Sequence, residues 1–258
     1  MADLRNSGYV QRTSVPAAGY AIDEGLRAYM LRVYNYMAIG LLITGLAAIG
    51  AYSLSVTSVA SEAVAQIGNI YLTSIGYALF ASPLKWVVIL APLAMVFLIS
   101  FRLQKMSVAG GQLAFWVFSA LMGLSLSSIF LVYTQSSIAR VFFITAISFG
   151  GLSLWGYTTK KDLSGWGSFL IMGLIGIIVA SLVNLFLASS ALEFVVSVAG
   201  VLVFAGLTAY DTQQIKEMYF EGDSGDVAGR KAILGALRLY LDFINMFLML
   251  LRLFGNRN

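Results

Sequence analysis

The feature that most constrains this chain is an apolar stretch of 22 residues from Ile233 to Phe254, with the sequence ILGALRLYLDFINMFLMLLRLF. As a helix it rises about 33 Å, enough to cross the hydrocarbon core of a bilayer. Its polar side chains recur at helical spacing and share one stripe with Met249; they are Arg238, Asp242, Asn245 and Arg252. An ionised aspartate near the bilayer centre costs roughly 2.5–3.5 kcal/mol. We therefore expect the stripe to face protein or water, in the central helix of a bundle.

Composition places the chain among helical membrane proteins. Of its 258 residues, 59% are hydrophobic and 11% are charged, and the mean hydropathy is +0.86. A soluble domain carries about 25% charged residues. The apolar stretches are continuous rather than alternating, which argues against a transmembrane β-barrel. We predict an all-α, polytopic membrane protein in which the C-terminal helix is central.

Two residue types are missing from the sequence, and their absence removes several kinds of chemistry. The chain has no cysteine and no histidine. Disulfides, thiolate metal sites, serine–histidine proteolysis and imidazole ligation of zinc or haem are therefore excluded. No basic stripe with interleaved aromatic residues is present, which argues against a nucleic-acid partner. We predict no catalytic residue, no enzymatic activity and no cofactor.

Hydropathy predicts seven membrane spans, after a flexible cytoplasmic tail at residues 1–30. The spans, within a domain of residues 31–258, are at about 33–54, 83–101, 113–133, 141–157, 166–188, 192–215 and 233–254. A Ser-, Thr- and Ala-rich loop follows the first span, with a short interfacial segment expected around residues 71–80. Three glycines in the first span, Gly40, Gly45 and Gly50, predict close packing against other helices.

The distribution of basic residues predicts the orientation. Twelve of the 16 lysines and arginines fall on the side of the N-terminus, and the other four are Lys85, Arg140, Arg252 and Arg257. Cytoplasmic loops carry such an excess of Lys and Arg. The N-terminus is therefore expected in the cytoplasm and the C-terminus outside. We see no cleaved signal peptide, because no apolar segment follows an N-terminal basic cluster.

Two aspartates on consecutive spans form the candidate functional site. Asp211 lies near the inner end of the sixth span and Asp242 lies within the seventh, so the two can meet at similar depth. Two carboxylates in a low-dielectric site cannot both ionise cheaply, which makes the pair a pH-responsive element. Arg238 is four residues before Asp242 and can neutralise it in a purely structural pair. Arg102, at the cytoplasmic end of the second span, is either a releasable counter-ion or an interface anchor.

Two asparagines are candidates for a polar lining. Asn245 belongs to the stripe of the last helix, and Asn184 forms a polar pair with Ser181 on the fifth span. Hydrogen bonding between helices also explains the pair on the fifth span.

Three segments resemble the Bax inhibitor family, the transmembrane Bax inhibitor motif proteins. They are LYLDFINMFLMLLRLFG at Leu239–Gly255, VFAGLTAYDTQQIK at Val203–Lys216 and TTKKDL at Thr158–Leu163. The resemblance implies a seven-helix bundle and, in some members, a calcium leak gated by a pH-sensitive aspartate pair matching Asp211 and Asp242. It also implies that Arg102 latches one of them. Calcium accepts oxygen ligands, so the two aspartates are a possible transient calcium site.

The resemblance and the aspartates leave alternative functions open. Bacterial members resemble modulators of a membrane-bound AAA protease, which implies an inner-membrane protein that binds a partner without conducting ions. An intramembrane aspartyl protease also needs two facing aspartates. That class requires Gly-x-Gly before the second aspartate, whereas Tyr240 and Leu241 precede Asp242 here. We therefore expect a pH-sensitive cation leak, with the modulator as the main alternative.

Overall fold

Seven long helices dominate the part of the chain that can be described. The computed structural model describes the backbone of residues 17–258 and the side chains of residues 24–258. In chain order the helices are α1 Ala17–Ser55, α2 Leu84–Arg102, α3 Val108–Leu126, α4 Gln135–Thr158, α5 Ser164–Leu187, α6 Ser190–Glu217 and α7 Gly225–Phe254. Within the described residues, these seven are the helices long and apolar enough to cross a membrane. The predicted all-α, polytopic fold is confirmed.

Hydroxyl side chains begin several of these helices. Ser107, Thr134, Ser189 and Ser224 each accept a hydrogen bond from the backbone N–H three residues later. Such caps satisfy one of the donors that a helix N-terminus leaves unpaired. Because Ser224 caps α7, that helix begins at Gly225 rather than at the predicted Ile233.

Helix α7 is the centre of the bundle, as the sequence predicts. In its most apolar stretch 72% of the residues are buried, against at most 33% in any other span of the described chain. It packs against α1, α3, α4 and α6. Tyr240 is fully buried there, with its ring centroid 5.8 Å from that of Phe115 and 5.1 Å from that of Phe118.

The segment between α1 and α2 contains a small antiparallel sheet that hydropathy does not predict. Its strands are β1 Val56–Thr57, β2 Ala65–Ile67 and β3 Ile70–Leu72, in the order β1-β3-β2. Gly68 adopts a φ of +57° in the two-residue turn between β2 and β3. The segment at residues 71–80, expected at the membrane interface, contains the end of β3, a helical turn at Ser74–Gly76 and most of a π-helical turn at Tyr77–Ala81.

Two expectations about the first span need revision. Helix α1 is helical from Ala17, so the tail predicted for residues 1–30 is shorter, and its first 16 residues lie outside the described chain. Only Gly40 of the three glycines packs closely: a Cβ there would lie 2.9 Å from the ring of Phe115. At Gly45 and Gly50 a Cβ would meet nothing within 4 Å, so close packing was wrongly predicted for these two.

Candidate functional site

The polar stripe of α7 lines a cavity of about 1060 Å³. All five stripe positions face it, namely Arg238, Asp242, Asn245, Met249 and Arg252. Its other walls come from α2, α5 and α6. Helix α2 packs mainly on α3 and makes little direct contact with α5, α6 or α7, so the cavity separates it from them.

Asp211 and Asp242 meet in this cavity. Helices α6 and α7 are neighbours joined by the loop at residues 218–224, and they pack along much of their length. The two carboxyl groups lie within hydrogen-bonding reach of each other. Asp242 is only 5% exposed, and its Oδ2 is buried with no hydrogen-bond donor in the described residues. A buried carboxylate oxygen without a donor is costly, unless a proton or a cation satisfies it.

The cation beside this pair is Arg238. Its Nη1 lies 3.9 Å from Asp211 Oδ1, and the side chains are 43% and 16% exposed, respectively. Spacing along α7 predicted that Arg238 neutralises Asp242. In the structure Arg238 instead pairs with Asp211 of α6. Arg102 is exposed at the end of α2 and makes no ion pair with the described carboxylates. The structure thus brings Arg238, and not Arg102, to the site.

Both predicted asparagines line the cavity, and each also makes a local hydrogen bond. Asn245 Nδ2 donates to the carbonyl oxygen of Leu241, 2.8 Å away on the same helix. Asn184 Oδ1 accepts from the backbone N–H of Ser189 at 2.9 Å. This second bond supports the turn between α5 and α6, where Ala188 has a φ of 47°. Asn184 is therefore a helix-end residue as well as a lining residue.

The far end of the cavity is charged too, and its acidic residue, Glu193, was missed by the sequence analysis. Glu193, in the first turn of α6, lines the cavity together with Arg252 and pairs with Arg257 at 3.3 Å. Along α7, Arg238 and Arg252 are about 21 Å apart, most of the thickness of a hydrocarbon core. The available signal was an acidic residue at the start of a span. The cavity therefore carries both signs of charge at each end.

Gln213, two residues after Asp211, holds the backbone of the TTKKDL segment in place. Its Oε1 accepts from the backbone N–H of Leu163 and its Nε2 donates to the carbonyl oxygen of Lys161, both at 2.8 Å. In the same loop, the backbone N–H of Ser164 donates to Asp162 and lowers the pKa of that carboxyl group. The loop before α5 is therefore fixed to the C-terminal part of α6, next to the carboxylate pair.

The fold and the site together place the chain in a class of protein. It is a multi-pass helical membrane protein whose central helix contributes Asp242, one half of a carboxylate pair. The chain belongs to the Bax inhibitor family, because the family model described as "Inhibitor of apoptosis-promoting Bax1" matches residues 26–258. The resemblance seen in the two aspartate segments and TTKKDL is thereby confirmed.

Several bacterial proteins are similar over almost their whole length. Inner membrane protein YbhL of Escherichia coli K12 is 48% identical over 235 residues, which are 90% of this chain and 93% of YbhL. RP147 of Rickettsia prowazekii is 45% identical over 249 residues, 96% of this chain and 98% of RP147. A protein of Caulobacter vibrioides is 44% identical over 252 residues, which are 97% of each chain.

Proposed function

We propose that this protein is a pH-sensitive leak channel for calcium and other cations, gated by Asp211 and Asp242. The observation that carries the proposal is the buried Oδ2 of Asp242, for which the described residues provide no hydrogen-bond donor. It lies beside a second carboxyl group, at a cavity along the polar stripe. A proton shared between the two groups supplies the missing hydrogen bond. Loss of that proton places two charges together in a poorly solvated site. Protonation therefore shifts the balance between closed and open arrangements.

The chemistry of the cavity suits a hydrated cation. Calcium takes six to eight oxygen ligands, and two carboxylates leave its shell incomplete. The amides of Asn245 and Asn184 and the carboxylate of Glu193 add oxygen atoms further along the cavity. We propose passage with bound water rather than tight storage, and no resident metal or cofactor.

We propose Arg238 as the counter-ion of the pair in the conformation described here. It is the cation nearest Asp211. A latch formed by Arg102 requires a different placement of the end of α2. If Arg102 holds such a conformation closed, Arg102→Ala raises the leak at neutral pH. Arg102→Lys returns the leak only part of the way to the wild-type level, since lysine lacks the planar guanidinium group that binds a carboxylate through two hydrogen bonds.

The decisive experiment is calcium flux into liposomes containing the purified protein, measured with a trapped indicator across a range of pH. Asp211→Asn and Asp242→Asn keep the side-chain shape but cannot titrate, so each abolishes the pH dependence. The double variant is no worse than the more severe single variant, because the pair acts as a unit. Asp162→Asn, in the exposed loop before α5, is the matched control and keeps the wild-type profile. A wild-type profile in either single variant of the pair disproves the coupled gate.

The same assay separates this proposal from its alternatives. Purified protein that passes no ions supports a modulator that binds a membrane-bound AAA protease. We propose no proteolytic role, because Tyr240 and Leu241 occupy the positions where an aspartyl protease needs Gly-x-Gly. We also propose an inner-membrane location with a cytoplasmic N-terminus. The name of YbhL and the excess of basic residues on that side support it.

A further inference from the structure

A second feature of the membrane-facing surface is a groove between α1 and α4. The backbones of these helices make few close approaches, although Tyr34 of α1 is hydrogen-bonded to Ser153 of α4, and α7 forms the floor between them. The groove has two parts, of about 450 and 660 Å³, which share Ala38 and Leu41. It lies across the bundle from the cavity with the carboxylates and shares none of its lining residues.

The part nearer the start of α1, here called the inner groove, has the dimensions of one lipid leaflet. It extends along α1 from Arg27 to Leu41, which is about 21 Å. One leaflet is about half of a bilayer's 40–45 Å, including head groups. The volume of the inner groove, about 450 Å³, also falls in the range of ordinary ligand sites. The inner groove therefore suits one acyl chain of a phospholipid that lies parallel to the helices.

Two polar side chains in the middle of the inner groove, Tyr34 and Ser153, are already engaged in hydrogen bonds. Tyr34 Oη and Ser153 Oγ are 2.7 Å apart, and Ser153 Oγ is 2.9 Å from Thr212 Oγ1. The Thr212 hydroxyl donates in turn to the carbonyl oxygen of Thr208. This chain of hydrogen bonds runs into the bundle and leaves little polarity for the groove, which suits an acyl chain.

Gly150 opens one wall of the inner groove. A Cβ at this position would meet nothing within 4 Å, so packing between helices does not account for the glycine. A glycine inside a helix costs about 1 kcal/mol relative to alanine. The missing side chain lets a ligand approach the backbone closely. Gly151 is equally open but lies off the groove.

The end of the inner groove at Arg27 is positively charged. Arg27 lines it, and no carboxylate among the described side chains pairs with Arg27. At the same end Tyr157 lines the opposite wall, and Lys216 of α6, which does not itself line the groove, donates to the carbonyl oxygen of Tyr157. Guanidinium groups bind phosphate oxygens in bidentate fashion. Arg27 thus lies where the head group of a lipid in the groove would lie.

We propose that the inner groove binds one phospholipid with an anionic head group, with its phosphate at Arg27 and an acyl chain against Gly150. This proposal does not depend on the leak activity. It is a binding site for membrane lipid on the face of the bundle away from the carboxylates.

The test is native mass spectrometry of the purified, delipidated protein titrated with palmitoyl-oleoyl-phosphatidylglycerol or the matching phosphatidylcholine. We expect one phosphatidylglycerol to bind at least tenfold more tightly than phosphatidylcholine. Gly150→Leu and Ala146→Leu fill the groove and weaken both lipids at least tenfold, whereas Gly151→Leu leaves binding unchanged. Arg27→Gln removes the preference for phosphatidylglycerol but keeps the binding of phosphatidylcholine.

Two results would overturn the proposal. One is equal lipid affinity in wild type, Gly150→Leu and Ala146→Leu. The other is an equal loss in Gly151→Leu, which would mean that the substitutions disturb the helix rather than the groove. The fold of each variant is checked by its thermal unfolding, so that a misfolded variant is not counted.

Discussion

At the scale of single residues, a buried hydroxyl pair ties the central helix to the first helix. Tyr240 Oη lies 2.6 Å from Thr44 Oγ1, and the Thr44 hydroxyl is also within 2.9 Å of the carbonyl oxygens of Gly40 and Ser119. Both side chains are almost fully buried. A tyrosine hydroxyl in an apolar core needs such a partner.

Tyr240→Phe is therefore expected to lower the free energy of unfolding by about 1 kcal/mol, the net value of one hydrogen bond. The measurement is unfolding in mixed micelles followed by circular dichroism. Tyr52→Phe is the control, since its ring stacks on Phe130 but its hydroxyl makes no hydrogen bond in the described chain. An equal loss in both variants would show that the Thr44 contact contributes nothing specific.

Residue periodicity was enough to predict which side chains of α7 face the cavity, because a helix fixes their common face. It was not enough to choose the counter-ion. Arg238 reaches Asp211 because α6 and α7 are neighbours, whereas Arg102 depends on where α2 lies in the bundle. Helix placement follows from tertiary packing, which spacing along one helix does not encode.

At the scale of elements, one side chain fixes the connection between α4 and α5. Gln213 of α6 makes both of its hydrogen bonds to the backbone of that loop. The resemblance of TTKKDL to a family segment drew attention to the loop but not to its partner 50 residues later. Contacts so distant in sequence leave no local pattern.

Gln213→Leu is expected to destabilise the protein by about 1–3 kcal/mol, because a buried N–H and a partly buried carbonyl group of the loop lose their hydrogen-bond partner. Gln214→Leu is the matched control, since its side chain reaches only the exposed Glu217. Hydrogen exchange should show faster opening of residues 159–165 in Gln213→Leu alone. Unchanged exchange there would contradict the proposed restraint.

Glycines in the same helix have different structural roles. A Cβ at Gly156 would lie 2.9 Å from the Cα of Ala209, whereas at Gly151 it would meet nothing within 4 Å. Sequence alone gives both the same small-residue signature. The strand turn Ile67-Gly68-Asn69-Ile70, in contrast, carried a recognisable hairpin signal that hydropathy windows overlook.

Gly156→Ala is expected to destabilise the protein by about 1–3 kcal/mol, because α4 and α6 must separate to admit the methyl group. Gly151→Ala is expected to stabilise it by up to about 1 kcal/mol through helix propensity. Thermal unfolding of the two variants and of the wild type shows whether each substitution raises or lowers the stability. A stabilising Gly156→Ala would show that the helices separate at no cost.

At the scale of the whole molecule, the number of spans and the central helix follow from the sequence because hydropathy and polar placement report directly on membrane burial. The arrangement of the cavities does not follow from the sequence, since it depends on which helices are not in contact with each other. Two gaps, beside α2 and between α1 and α4, hold the candidate site and the inner groove.

Reporter fusions test the predicted orientation. Fusions at the N-terminus and in the loop at residues 218–224 are expected to report the cytoplasm, and a fusion after Asn258 the opposite side. The measurement is paired alkaline phosphatase and fluorescent-protein activity. A cytoplasmic signal after Asn258 would mean that one of the seven helices does not cross the membrane.

The central position of α7 has a consequence for biosynthesis. Because α7 follows the other six helices in the chain, they leave the ribosome before the helix that fills their centre exists. Until α7 arrives, α1 and α4 make little direct contact, and α2 is attached mainly to α3. When it does arrive, it brings Asp242 and two arginines into the bilayer, where partners already in place lower the cost of their insertion. Translation order thus makes completion of the bundle a late, single event, and chains stalled before α7 should be preferred substrates for membrane quality control.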